Sequence, residues 1–153
     1  MTWTEDYERK RMSAAQALAA VQPGARIWIQ SGCGTPSPLV DALVARAPQL
    51  RNVEIIHMKT LGAAAYTRPE YAGHFRHRGL FLGENVREAV CDGRADYTPI
   101  FLSEIEGLFE SGAHALALEI LGPGHLEPPP PIACIGAGFR LKNRASRSYA
   151  ILL

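Results

Sequence analysis

The sequence predicts an α/β domain built on an open, mainly parallel sheet with helices on both faces. Short apolar runs alternate along the chain with capped helical segments, which is typical of parallel strands joined by crossover helices. Turn residues such as Pro23-Gly24 separate the two kinds of segment. With 153 residues, of which 47% are hydrophobic and 20% charged, the chain suits one globular domain.

Strands are predicted near residues 26–31, 53–58, 80–82, 95–100 and 115–121. The first of these runs, RIWIQS, is rich in β-branched and aromatic residues and leads into Gly32. Residues 59–79 are predicted as a long loop because they contain polar and turn-forming residues. The five strands are expected to form one sheet.

Helix-capping signals lie between these strands. Helices are predicted at a Ser13/Gln16 capping box, from Pro36 to a stop at Pro48, at Asn85/Glu88 and at Ser103/Glu106. Gly93 is expected to end the third of them. These boundaries assign residues 1–121 to the α/β domain.

Residues 122–153 differ in composition from the rest of the chain. They contain four consecutive prolines at 128–131, and every charge after Glu127 is basic. Proline removes backbone donors and no clear period is present. We therefore expect a divergent tail with little regular structure and low burial.

Composition excludes several classes of function. The net charge of +1 gives no general attraction to nucleic acid or to an anionic membrane. The charged N-terminus lacks the apolar core of a signal peptide, and no apolar run could span a bilayer. The three cysteines are far apart in the sequence, as expected for a soluble protein of the reducing cytoplasm.

The turn from Ser31 to Pro36 follows the first strand and opens a helix. Glycines there allow close approach of a ligand, and N–H groups at a helix start favour anions. The dinucleotide fingerprint fails because Ser37 stands where a third glycine is required. A strand-to-helix turn without a ligand explains the same residues equally well.

Other reactive side chains have structural readings beside the functional ones. Cys33 could be a nucleophile with His57 as its base, but no third orienting group is apparent, and cysteine is also a small residue that tolerates burial. His74 and His77 lack a third metal ligand, so no metal site is expected. Arg94 and Asp96 could form a structural ion pair or face a substrate, and the sequence favours the ion pair.

Three stretches resemble the acetyl-CoA hydrolase/CoA-transferase family, in particular its 4-hydroxybutyrate and butyrate/acetate CoA-transferases. They are SGCGTPSPLVDALV, VEIIHM and HFRHRGLFLGENVREAVCDGRADYTPIFLSEIEGLF, and they keep order and spacing from about residue 13 to residue 112. The resemblance implies an open α/β domain that is repeated in a second half of the enzyme.

The resemblance also implies a reaction and a site. A glutamate carboxylate attacks an acyl-CoA thioester, and CoA is carried to an acceptor carboxylate as a glutamyl-CoA thioester. That glutamate belongs to the second half, so no catalytic residue is assigned here. The substrate-binding residues implied are Gly32, Cys33, Gly34, Thr35, Pro36 and His57. No cofactor is expected beyond the CoA thioester substrate.

The resemblance ends near Ala113, where the sequence continues as a proline-rich, basic tail. We favour a frameshift over a genuine, divergent C-terminus. The expected partners are an acyl-CoA, a short-chain carboxylate, and a separate C-terminal half or another copy of the chain, without nucleic acid or membrane. The leading hypothesis is thus a truncated CoA-transferase half that is inactive alone. The alternatives are a stand-alone acyl-CoA or nucleotide-binding module and a small thiol hydrolase that uses Cys33.

Overall fold

The structure is a computed structural model that describes residue 5 and residues 12–110, 116–120 and 149–151. Its centre is a six-stranded sheet. The strands are β1 (Arg26–Ile29), β2 (Val53–His57), β3 (Phe75–Gly79), β4 (Ala95–Tyr97), β5 (Leu116–Ile120) and β6 (Tyr149–Ile151). Every neighbouring pair is parallel. The predicted fold class is confirmed, and β1, β2, β4 and β5 are shorter than the sequence indicated.

The strand order creates a switch point beside β1. The order across the sheet is β4-β3-β2-β1-β5-β6. The chain steps outward from β1 to β4 and then returns to the other side of β1 to form β5. In open α/β sheets such a reversal leaves a crevice beyond the carboxyl ends of the strands, where ligands usually bind.

The third strand lies at Phe75–Gly79, so the prediction of a loop through residue 79 and a strand at 80–82 was wrong. The sequence FRHRG does not look like a buried strand because its alternate residues are basic arginines. Phe75 and His77 are buried on one face of the sheet. Arg76 and Arg78 lie on the other face, where carboxylates of neighbouring strands pair with them.

The helices are α1 (Ala14–Leu18), α2 (Ser37–Ala45), α3 (Glu84–Cys91) and α4 (Ile105–Glu110). Ser13 caps α1 through the predicted capping box with Gln16. Gly93, after α3, has the expected positive φ of 72°. The helix and turn signals thus located the helices well.

Two predicted caps were wrong. Helix α3 begins at Glu84 after Gly83, so Asn85 lies inside its first turn. The Asn85 amide instead donates to the carbonyl of Gly62 at 2.7 Å. Helix α4 begins at Ile105, so Ser103 lies inside the preceding turn and is not its cap, and the carboxylate of Glu104 accepts the N–H of Phe101 at 3.1 Å.

The sheet separates two apolar cores. The larger core packs side chains of α1, α2 and α3 against one face, and includes Leu18, Leu39, Leu43, Ile27, Ile29, Val53, Ile55, Phe75 and Val86. The smaller core lies on the other face and contains Trp28, Ile56, Leu80 and Ile105, the last from α4. Helices therefore cover both faces, as predicted.

Beside the smaller core the same face carries a row of charged side chains, here called the charged ladder: Arg26, Glu54, Arg76, Arg78 and Asp96. Glu54 accepts Arg26 at 2.9 Å and Arg78 at 2.5 Å. Arg76 holds Asp96 through two bonds of 2.8 and 2.6 Å. The ladder ties β1 to β4 across the sheet.

Three residues of the predicted tail are described. Tyr149–Ile151 forms β6, in parallel register with β5. The other predictions for residues 122–153, including the four prolines, fall outside the described residues. Among the described helices, none is both long and apolar enough to cross a membrane.

Candidate functional site

The predicted glycine turn lies at the carboxyl end of β1, beside the switch point. Gly32–Gly34 form a single 3₁₀ turn that leads through Thr35 and Pro36 into α2. Gly32 has a φ of 61°, a left-handed conformation that favours glycine. Cys33 is exposed at the tip. The sequence therefore located this turn and its cysteine correctly.

Internal hydrogen bonds occupy most donors of the turn. The N–H of Gly32 donates to the carbonyl of Lys59 at 3.1 Å, and that of Gly34 donates to Ser31 at 3.2 Å. Thr35 donates its N–H and its hydroxyl to the carbonyl of Gly32. From Gly32 to Thr35, only the N–H of Cys33 has no acceptor within the described residues, and Pro36 has no N–H.

The turn is fastened to the end of β2. The hydroxyl oxygen of Ser31 accepts the N–H of Met58 at 3.1 Å and that of Lys59 at 3.3 Å. Together with the Gly32–Lys59 bond, these contacts fix the two loops at the carboxyl edge of the sheet against one another. The exposed N–H of Cys33 is thus held in a defined position.

His57 lies beneath the turn in a buried network. Its Nε2 is 3.1 Å from the carbonyl of Gln30 and must carry the proton, because a carbonyl only accepts. Nδ1 therefore accepts the hydroxyl of Thr60 at 2.6 Å, and Thr60 lies 3.4 Å from the hydroxyl of Tyr66. The network connects β1 to the loop after β2.

Burial keeps this histidine neutral. Desolvation lowers the pKa of His57 to about 4, although the bond to Gln30 acts in the opposite direction. Both ring nitrogens are engaged and only 1% of the residue is exposed. His57 is therefore not available to take a proton from Cys33. Because the ring is covered, a ligand in the crevice would contact the residues above His57 and not the imidazole itself.

The HFRH motif is not a metal-binding turn. His77 is buried in β3, packs against the ring of Tyr66 at 5.6 Å, and has no hydrogen-bond partner for either ring nitrogen. His74 precedes the strand, and its Nδ1 lies 2.9 Å from the carbonyl of Leu50. The described residues contain no cluster of three or more metal-binding side chains.

Arg94 and Asp96 do not pair with each other, although the sequence suggested that they could. Asp96 binds Arg76 within the charged ladder, which lowers the pKa of the Asp96 carboxyl. Arg94 binds Asp92 at 2.8 Å and the carbonyl of Thr67. Both side chains are structural.

A cleft of about 430 Å³ lies at the carboxyl ends of β2 and β3, and is here called the carboxyl-edge cleft. Its lining comes from the loop after β2, the loop after β3 and the start of α3: Lys59, Thr60, Leu61, Gly62, Phe81, Leu82, Gly83, Glu84, Asn85 and Arg87. The loop after β2 also borders a smaller cavity of about 60 Å³ beside Thr35. One loop thus connects the cleft to the glycine turn.

Sequence reasoning missed this cleft. Lys59 directly follows a strand, where ligand-facing residues of parallel sheets usually lie, so VEIIHMKT contained a usable signal. Arg87 could not be connected with Lys59 because the two belong to different elements that only the fold brings together. The third strand was also misplaced, which hid the position of the loop after β3.

Comparison with known proteins identifies the family. Residues 1–118 match the acetyl-CoA hydrolase/transferase N-terminal domain. The chain belongs to this family. Among its relatives is the 4-hydroxybutyrate coenzyme A transferase of Clostridium kluyveri, which is 39% identical over 110 residues, covering 72% of this chain and 26% of the relative. The butyryl-CoA:acetate CoA-transferase of Anaerostipes caccae is 31% identical over 116 residues.

The family match covers the domain that carries the turn and the cleft. The chain spans about a quarter of the length of the curated relatives that it matches. In solved structures, RipA of Yersinia pestis shares the fold with a TM-score of 0.69 at 17% identity, over 81% of this chain and 32% of RipA. A 4-hydroxybutyrate CoA-transferase of Porphyromonas gingivalis gives 0.59 at 20% identity, over 79% of this chain and 27% of that protein.

Proposed function

We propose that this chain is the N-terminal part of a CoA-transferase that moves CoA from an acyl-CoA to a short-chain carboxylate. The family match over residues 1–118 covers the turn and the cleft, and relatives with that chemistry in their names match 72–74% of the chain. The observation that carries the proposal is the glycine turn within the region that matches the family, which lies at the sheet's switch point and leaves the N–H of Cys33 free.

The proposed reaction requires a carboxylate that this chain does not provide. A glutamate attacks the acyl-CoA carbonyl and expels the CoA thiolate, leaving an acyl-glutamyl anhydride. The thiolate then attacks the glutamyl carbonyl, releasing the first carboxylate and leaving a glutamyl-CoA thioester. The acceptor carboxylate reverses these two steps. We place this glutamate in polypeptide outside these 153 residues, so the chain alone is inactive.

The turn would act as one wall of the reacting site. Each step passes through a tetrahedral centre with a negatively charged oxygen, which a fixed N–H group stabilises. The N–H of Cys33 is the donor that the turn has free, and the bonds from Ser31 and Gly32 hold it in place. His57 supports the turn from below through Gln30 and takes no proton itself.

A partner surface is part of the proposal. Three large apolar side chains that are exposed among the described residues end or follow β4 and lie outside the carboxyl-edge cleft: Tyr97, Phe101 and Leu102. Apolar side chains gathered at one edge indicate a surface that another chain or domain covers. The polypeptide that carries the glutamate is the proposed cover.

A chimera tests the proposal. Residues 1–118 of this chain replace the matching N-terminal part of the Anaerostipes caccae butyryl-CoA:acetate CoA-transferase, and butyryl-CoA is assayed with acetate. We expect transfer, trapped by borohydride as a reduced glutamyl adduct in the relative's portion. A folded chimera without transfer would contradict the proposal.

Two controls complete the experiment. The 153-residue chain alone should give neither transfer nor an adduct, and turnover by it would show that the missing-carboxylate argument is wrong. Cys33→Ala in the chimera keeps the backbone N–H, so it should lower activity by a few-fold at most. Complete loss in the folded Cys33→Ala chimera would favour the cysteine as a nucleophile.

A further inference from the structure

We infer that the carboxyl-edge cleft binds the phosphate groups of CoA, with Lys59 and Arg87 as the contacting cations. The inference rests on the proposed function and adds a binding site to it. None of the residues predicted from the sequence to bind substrate lies in this cleft.

Two basic side chains of the cleft differ from the other basic side chains of the domain. Within residues 12–110, every other lysine or arginine side chain has a hydrogen bond or an ion pair, and Lys59 and Arg87 have neither. Both line the same cleft. Paired cations stabilise the fold, whereas unpaired ones that converge on a concave surface are available for an anionic ligand.

The walls of the cleft carry both charged and apolar side chains. Leu61 and Phe81 are exposed on the same cleft, 42% and 57% respectively, from two different loops. Charged and apolar groups side by side suit a ligand that carries phosphates on one part and an uncharged chain on another, as CoA does. Glu84 also lines the cleft, so its net charge is weakly positive.

The cleft is large enough for a small molecule, and one of its walls is bonded to the glycine turn. A volume of about 430 Å³ lies in the range of small-molecule sites, and a short carboxylate would occupy little of it. The Lys59–Gly62 loop forms one wall, and the carbonyl of Lys59 accepts the N–H of Gly32 in the turn. Phosphates held in the cleft would therefore lie on the loop that positions the proposed reacting site.

Hydrogen bonds hold the loops that line the cleft in fixed positions. The Asn85 amide donates to the carbonyl of Gly62, which fixes the loop after β2 against α3. Thr60 is buried and bonded to His57. A Cβ on Gly83 would come within 2.7 Å of the Asn85 side chain and 3.3 Å of the Thr60 carbonyl, so a larger residue there would displace the Asn85 amide that holds the loop. A preformed site loses less entropy on binding.

The test is equilibrium binding to the full 153-residue chain at low salt, with CoA, inorganic pyrophosphate and acetate as probes. The variants are Lys59→Gln, Arg87→Gln and the two together. Arg68→Gln is the control, because it removes the same charge from an exposed side chain outside the cleft. We expect the double variant to bind CoA and pyrophosphate about tenfold more weakly or worse, and the control to bind as the parent does.

Each remaining outcome overturns the inference in a distinguishable way. Equal CoA affinity in the parent and the double variant would show that CoA binds elsewhere and would leave the proposed function intact. Cation-dependent binding of pyrophosphate without binding of CoA would refute the assignment to CoA and weaken the proposed function. Binding of neither probe, or weakening by Arg68→Gln equal to that of the cleft variants, would also refute it.

Discussion

The charged ladder and the carboxyl-edge cleft both carry basic side chains, and they differ in how those side chains are used. In the ladder Arg26, Arg76 and Arg78 each contact a carboxylate on a neighbouring strand. In the cleft Lys59 and Arg87 have no partner within the described residues. A paired charge can be explained by the fold alone, so the unpaired ones indicate where a ligand is expected.

The same contrast applies to the two buried histidines. His57 has a partner at each ring nitrogen, whereas His77 has none among the described residues. His57 ends β2 and His77 lies in the neighbouring β3, and both side chains point to the face of the sheet that carries the larger core. His57 bonds to the Gln30 carbonyl just before the turn, whereas His77 packs beside Tyr66 with its ring nitrogens unmet.

The largest expected effect is acid destabilisation through these histidines. Burial lowers both pKa values from 6.5 to about 4. As the pH falls below about 6.5, these histidines become protonated in the unfolded chain but not in the folded one. The free energy of unfolding therefore has its full value above about pH 6.5 and decreases as the pH drops toward 4. Each histidine accounts for on the order of 3 kcal/mol. Urea unfolding at a series of pH values measures this.

Two variants separate the histidines. His77→Leu should remove about half of the pH dependence and cost little at pH 8, because its ring nitrogens have no partners to lose. His57→Leu should cost about 2 kcal/mol at pH 8, since it leaves Thr60 and the Gln30 carbonyl without their bonds. Equal losses at pH 8 would contradict the distinction between the two sites.

The charged ladder gives the next largest effect. Glu54 is only 18% exposed at its side chain and contacts Arg26 and Arg78, so Glu54→Gln should destabilise the chain by about 2 kcal/mol. Glu70→Gln is the control, because Glu70 lies 4.0 Å from Arg68 and both are largely exposed. It should change the free energy of unfolding by less than about 0.5 kcal/mol. A loss at Glu54 no larger than at Glu70 would mean that the ladder contributes no stability.

Features that depend on neighbouring residues could be predicted from the sequence, whereas features that depend on pairing between distant strands could not. Helix α1 and the turn after β1 were predictable because Ser13, Gln16 and Gly32 act within a few residues. Strand β3 was not, because its arginines are explained only by Glu54 and Asp96 on other strands. A sequence window shows the basic residues without their partners.

The same difference explains which part of the candidate site could be located from the sequence. The glycine turn is one continuous segment, and the sequence placed it correctly. His57 looked like a reactive group, but burial and the bond to Thr60 depend on the loop that folds over it. The cleft combines residues of two loops and α3, so it exists only once β2 and β3 are aligned.

A smaller effect is expected at the turn itself. Gly32→Ala should cost about 1 kcal/mol, because a φ of 61° is unfavourable for a residue with a Cβ. Gly107→Ala is matched to it, since a Cβ there also meets no atom within 4 Å but lies in helix α4. It should stabilise the chain by about 0.5–1 kcal/mol. Chemical unfolding would decide, and a loss at Gly107 equal to that at Gly32 would refute the conformational explanation.

The smallest expected effect separates the two kinds of cation. The double variant Lys59→Gln/Arg87→Gln removes no hydrogen bond or ion pair of the described residues, so its free energy of unfolding should stay within about 0.5 kcal/mol of the parent. Arg78→Gln loses contacts with Glu54 and Thr98 and should cost about 1–2 kcal/mol. Urea unfolding at pH 8, above the range of the histidines, compares them. If the cleft variant is as costly as Arg78→Gln, Lys59 and Arg87 stabilise the fold and their unpaired state no longer indicates a ligand.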